Sequence, residues 1–146
     1  MMGFLDSLNI SGSGLTAQKY RMEIVAQNLA NADTTRTEEG GAYRRKLELL
    51  SEIGSTGTFA QALRSASGSA PGGVRVTEVV DDNDDFKVEY DPTHPDANED
   101  GYVELPNVDT TEEMVDMMSA SRHYEANITA FNAMKDMASR ALEIGK

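Results

Sequence analysis

The chain has 146 residues, the size of one ordinary domain, and its 39% hydrophobic but only 6% aromatic content, with no Trp, suggests thin helical packing more than a large globular core. The absence of cysteine excludes disulfides, thiolate metal sites and cysteine nucleophiles. Net charge is −12 and unevenly spread: residues 1–72 carry seven basic and seven acidic side chains, residues 73–146 six and eighteen, and residues 78–116 fifteen acids against Lys87 alone. Such a field repels nucleic-acid phosphate and anionic lipid, so neither is an expected partner; it suits a cation or a basic protein surface instead.

The N-terminal stretch lacks the basic and apolar regions of a cleavable secretion signal, and no apolar run reaches the roughly 18 residues that suggest a membrane span. Export, if it occurs, is expected to use another route, without direct membrane insertion. Over residues 4–32, Leu8, Leu15, Met22 and Leu29 recur every seven residues, with Phe4, Val25 and Ala32 interleaved. This spacing predicts a helix with a seam close to a heptad. Gly12 and Gly14 each cost about 1 kcal/mol relative to Ala in a helix, which predicts frayed or kinked first turns. Asn31-Ala32-Asp33-Thr34-Thr35 reads as the stop.

The middle has a different texture. Tyr43–Leu50 is a strand candidate, Ser65–Gly73 reads as linker, and Val74–Val80 and Phe86–Tyr90 alternate like strands. The acidic run Asp81-Asp82-Asn83-Asp84-Asp85 between the last two reads as a hairpin turn, and Tyr102–Leu105 as a further short strand. Residues 109–143 then carry the clearest helical stripe: Met114, Met117, Ser121, Tyr124, Ile128, Phe131, Lys135, Ala138 and Leu142, widened by Met118 and Met134. Thr110 with Glu113 reads as a capping box, and Gly145 lies just past the expected helix end.

Candidate chemistry is sparse. Asp96-Ala97-Asn98-Glu99-Asp100-Gly101 fits the first half of an EF-hand calcium loop, but the twelfth position, where a bidentate Glu is required, is Asn107. An acidic turn bonding its own backbone is the favoured reading. His94 and His123 stand in no metal-binding spacing, and no serine lies in a nucleophile elbow. No cofactor, metal or small-molecule substrate is expected, and no nucleophile, base and orienting group can be assembled into an enzyme. Arg44-Arg45-Lys46, the one basic run, reads first as a solvated strand face and second as half of a subunit contact.

Against this background, Ile24-Val25-Ala26-Gln27-Asn28-Leu29-Ala30-Asn31-Ala32-Asp33-Thr34-Thr35 resembles the N-terminal motif of the flagellar rod, hook and hook–filament junction family. The run Asn107–Met137, including Glu113-Met114-Val115-Asp116-Met117-Met118 and Arg122-His123-Tyr124-Glu125-Ala126-Asn127, is similar to the family's C-terminal segment. Thr35–Lys46 and Tyr90–Glu104 resemble the small proximal rod members. His123 departs from the family, where a small residue is frequent. The motif residues carried over are Asn28, Asn31, Glu113, Arg122, Glu125 and Asn127.

The resemblance implies a bacterial flagellar basal-body rod subunit in the periplasm, exported unprocessed by the flagellar type III apparatus. It implies partners among copies of the chain, other rod proteins and the export apparatus. The fold expected is α+β. Residues 1–36 and 107–146 would form a coiled-coil-like helical assembly domain, and residues 37–106 a small β-rich domain. The subunit-interface candidates are Leu8, Leu15, Met22, Val25, Leu29, Met114, Met117, Met118, Tyr124, Ile128, Phe131, Met134 and Leu142. Much of the helical order is expected only on assembly, because one molecule cannot cover both sides of each helix. The alternative is a monomeric calcium-binding or scaffold module.

Overall fold

A computed structural model describes residues 4–38, 40–53, 59, 63 and 72–144, without the side chains of Phe4, Leu5 and Ile144. The heptad-spaced first segment forms one helix, α1 (Phe4–Ala30), and the Met-rich last segment forms α2 (Thr110–Ile144). Between them lie β1 (Lys46–Glu52), β2 (Val74–Asp81), β3 (Lys87–Tyr90) and β4 (Tyr102–Leu105). Among the described residues, two long helices thus flank a small β region of two two-stranded sheets. Most of the Ser65–Gly73 linker, and Gly145, lie outside the described residues.

The strands expected from alternation are present, but their pairing differs from the expected hairpin. β2 pairs with β1, and β3 with β4. The amide of Asp82 donates to Arg45 O at 2.8 Å and that of Ile53 to Gly73 O at 3.0 Å, so β1 and β2 run antiparallel. The run Asp81–Asp85 is therefore a link between sheets. Alternation reports that a segment is half-buried and extended, not which strand it joins. β3 and β4 are antiparallel, with Lys87 opposite Leu105, Val88 opposite Glu104, Glu89 opposite Val103 and Tyr90 opposite Tyr102.

Two further expectations are corrected. α1 is helical through Gly12 and Gly14, a penalty of about 1 kcal/mol each being tolerated within a helix of 27 residues. Ser13 Oγ donates to Ile10 O at 2.7 Å and Thr16 Oγ1 to Gly12 O at 3.1 Å. A Cβ on Gly14 would lie 3.1 Å from Asn127 Nδ2, so the missing side chain admits α2. The cap of α2 is Asp109, not Thr110. Its Oδ1 accepts the amides of Thr111 at 2.9 Å and Glu112 at 3.3 Å, while the Glu113 side chain bonds elsewhere. A capping carboxylate one residue earlier satisfies the same free amides.

The chain divides into two compact units, and each helix contributes to both. One comprises Met1–Tyr20, Leu49–Glu78 and Ala120–Lys146; the other comprises Arg21–Glu48 and Val79–Ser119. In the first, Ala17 and Ala120 are buried, and Ser13 Oγ accepts the amide of Val74 at 3.1 Å, tying α1 to the start of β2. In the second, Ile24, Val25, Ala42, Tyr43, Val103 and Val108 form the apolar core. Within this unit α1 and α2 run in opposite directions: Arg21 meets Asp116 at 3.2 Å, and Asn28 meets Glu113 at 3.1 Å. Among the described residues no helix is long and apolar enough to cross a membrane.

Gly73 joins the linker to β2 at φ +138°, where a Cβ would lie 2.7 Å from Ser13 Oγ. Gly73→Ala is expected to destabilise the fold by about 1–3 kcal/mol, read as a lower urea midpoint. An unchanged midpoint would mean that the Ser13 contact does not constrain this turn.

Candidate functional site

The three largest fully buried side chains are Glu113, Asn28 and Pro106. Two of these are polar, and they touch each other. Asn28 lies one helical turn beyond Ile24 and Val25, so the face that buries those residues also buries its amide. Its Nδ2 donates to Lys46 O at 2.9 Å and to Glu113 Oε2 at 3.1 Å. Its Oδ1 accepts the Lys46 amide at 2.9 Å and the Tyr43 hydroxyl at 3.0 Å. Two donors and two acceptor lone pairs are all used.

Glu113, in the first turns of α2, accepts Arg45 Nε on Oε1 at 2.6 Å. Arg45 reaches Asp82 at 3.5 Å with its other arm, and its backbone amide donates to Asn107 Oδ1 at 2.8 Å. Asn107 Nδ2 and Arg44 Nη1 both donate to the carbonyls of Asp82 and Asp84. Arg44 also stacks over the Phe86 ring at 4.3 Å. One polar network therefore fastens the end of α1, the entry to β1, the link after β2 and the start of α2.

Electrostatics support that geometry. Burial works against the Arg45 cation, but the hydrogen bond and charge of Glu113, with Glu112 and Asp82, outweigh it and hold the guanidinium above its usual range. Burial, then the charges of Asp81 and Glu113, push the Tyr43 phenol up, which keeps it a neutral donor to Asn28. The basic run Arg44-Arg45-Lys46 is thus not simply a solvated face, since two of its side chains bond inward. What the network does chemically is hold four segments in register.

The other motif residues divide. Asn31 closes α1, with Nδ2 donating to Gln27 O at 2.9 Å and Oδ1 accepting Thr34 Oγ1 at 3.3 Å. Asn127 packs on Gly14. Arg122 and Glu125 are exposed and do not join the network. Of the interface candidates, Leu8, Leu15, Met22, Leu29, Met117, Tyr124, Phe131 and Met134 are half-buried, whereas Met114, Met118, Ile128 and Leu142 are exposed. Val25, only 4% exposed, belongs to the core of its unit.

The acidic turn serves its own chain. Asp96 Oδ2 accepts Thr35 Oγ1 at 2.8 Å, and its other oxygen lies 3.6 Å from Arg36. Asn98 Oδ1 accepts the amides of Asp100 and Tyr102. Among the described residues no group of three or more His, Cys, Asp or Glu could hold a metal ion.

Residues 8–36 match the flagella basal body rod protein family, and residues 99–144 match the C-terminal family of flagellar basal body rod FlgEFG proteins. The chain is 51% identical to the flagellar basal-body rod protein FlgC of Bacillus subtilis, over 96% of this chain and 97% of that one. The chain belongs to the FlgC family of flagellar basal-body rod proteins. FlgC of Borreliella burgdorferi is 43% identical over 98% of each chain, and that of Escherichia coli O157:H7 is 39% identical over 99% of this chain and 100% of that one. The chain is accordingly a structural subunit of the flagellar basal body, not an enzyme. The two matched segments carry Asn28 and Glu113, the two ends of the central bond of the network.

Tyr43, Arg45, Asp82 and Asn107 were not among the site residues that the sequence suggested. Glu113→Ala leaves Arg45 and Asn28 without their shared acceptor and is expected to cost about 3–5 kcal/mol, the range for breaking a buried charged pair. Combined with Asn28→Ala, the loss should be smaller than additive by about 0.5–3 kcal/mol in a double-mutant cycle. Additive losses would mean that the two side chains do not act together.

Asp109 and Asp91 give the acid limb. The Glu112 and Thr111 amides hold the Asp109 carboxyl below its usual value, and the Thr93 hydroxyl and amide do the same for Asp91. Their contribution is complete above the unfolded carboxylate pKa of about 3.9 and is lost as pH falls through the lowered folded values. Asp109→Asn, which keeps a capping oxygen, should flatten helix loss on acidification, monitored by circular dichroism. An unchanged acid transition would contradict this.

Proposed function

We propose that the chain assembles into the rod through the outer faces of its two terminal helices, in a repeated head-to-tail arrangement that transmits torque from motor to hook. The carrying observation is the apolar surface left on α2. Met114, Val115 and Met118 are 50%, 55% and 54% exposed at helical spacing i, i+1 and i+4, and Leu142 farther along is 75% exposed. Apolar side chains clustered on one helix face mark a contact surface. Heterologous contacts that do not close into a ring build a shaft rather than a small oligomer.

In this reading, residues 1–36 and 107–146 form the coiled-coil-like assembly part, and residues 37–106 a small β-rich part carried by it. Leu8, Leu15, Met22, Leu29, Met117, Tyr124, Ile128, Phe131 and Met134 complete the contacts with copies of the chain and with other rod proteins. Export through the flagellar apparatus to a periplasmic rod completes the proposal. The half-buried and exposed positions along both helices support it, since each gains further burial only from a neighbour.

Met114→Glu with Met118→Glu places two charges on the exposed stripe without touching the network. Cells carrying this variant alone should export the chain yet lack it in isolated basal bodies and fail to swim, while the purified variant keeps its helical circular dichroism. Normal swimming with normal incorporation would overturn this interface.

A further inference from the structure

In the β3–β4 sheet all four residues of β3 are exposed, while β4 turns Val103 inward. Val103 is 3% exposed on the inner face. On the outer face stand the opposed pairs Val88 with Glu104 and Tyr90 with Tyr102. Val88, Tyr90 and Tyr102 are 63%, 64% and 46% exposed, so two rings and a branched aliphatic side chain meet solvent together.

This face is held in shape. The two tyrosine rings lie 5.2 Å apart at 66°, in edge contact. Gly101, at φ +81°, lets the Tyr90 ring lie against the backbone, since a Cβ there would come within 3.0 Å of Tyr90 Cε2. A fixed aromatic pair loses little conformational freedom on binding, which is why Tyr is enriched at contact hot spots.

Its charge selects the partner. Fifteen acids lie in residues 78–116, with Lys87 as the sole base, and the Lys87 ammonium is turned to Val108 O at 2.8 Å. Glu104 stands on the apolar face itself. A second copy of the chain, at net charge −12, brings the same sign. Its basic run is largely engaged internally, Arg44 on Phe86 and the Asp82 and Asp84 carbonyls, and Arg45 on Glu113 and Asp82. A Lys- or Arg-bearing surface of a different protein answers both features, with a guanidinium over the tyrosine faces and a charge on Glu104.

We propose that the outer face of the β3–β4 sheet, Val88, Tyr90, Tyr102 and Glu104, docks a basic segment of a partner protein other than this chain, separately from the helix-mediated assembly.

The test places the photo-crosslinking residue p-benzoylphenylalanine at Val88 of the full chain, in cells whose swimming shows that the rod has formed. The expected result is an adduct with a different protein whose crosslinked peptide bears Lys or Arg beside the attachment point. Glu104→Lys in the same chain should lower that adduct about fivefold, the scale of an exposed ion pair. An adduct only with a second copy, an adduct with an acidic peptide, or no adduct in swimming cells would each overturn the proposal. If the Val88 variant does not swim, the same residue at Tyr102, where one aromatic ring replaces another, is read by the same outcomes. Loss of the helix-face contacts would abolish swimming in the Met114 and Met118 variant without bearing on this adduct, so the two proposals fail separately.

Discussion

Everything in the second unit depends on burying one carboxylate and one carboxamide together. Glu113 and Asn28 are each 1% exposed, and neither could sit in an apolar core without the other. Their pairing, completed by Arg45, Tyr43 and the Lys46 backbone, joins segments that are far apart in the chain. An apolar contact would tolerate sliding by one helical turn. A network that uses every donor and acceptor of Asn28 tolerates one register only, because any shift leaves a buried polar group unpaired.

That rigidity suits a structural subunit of the basal body. Within the second unit the network fixes the end of α1 against the Asp109-capped start of α2. The core around the network is small, and much of the apolar surface of the helices stays available to neighbours. Within the second unit the polar network sets the register, and in the assembly proposed above the methionine-rich stripe is the contact surface, its flexible side chains suited to unlike partners.

Much of this was readable in the residues, and the exceptions have physical causes. Period 3.6 in Met114–Leu142 and alternation in Val74–Val80 and Phe86–Tyr90 located the elements, because burial on one face writes itself into local pattern. Pairing did not follow: the partner of β2 lies across the long connection to β1, and local alternation carries no record of that. Asn28 drew attention only through family resemblance, since a polar residue beside an apolar stripe looks solvent-facing, and Glu113 was read from its spacing as half of a capping box rather than as a buried partner. The available signal was position, Asn28 falling one turn after the buried Ile24 and Val25. Gly14 was read as a weak point when small size is its use, admitting Asn127.

The most direct measurement is native-state hydrogen exchange on the free full-length chain, followed at the Lys46 amide, which donates to Asn28 Oδ1 at 2.9 Å. Our account predicts exchange about a thousandfold slower than in an unstructured peptide, with protection lost in Glu113→Ala. Exchange at the free-peptide rate, or protection indifferent to Glu113, would show that the buried polar network is not what holds this fold.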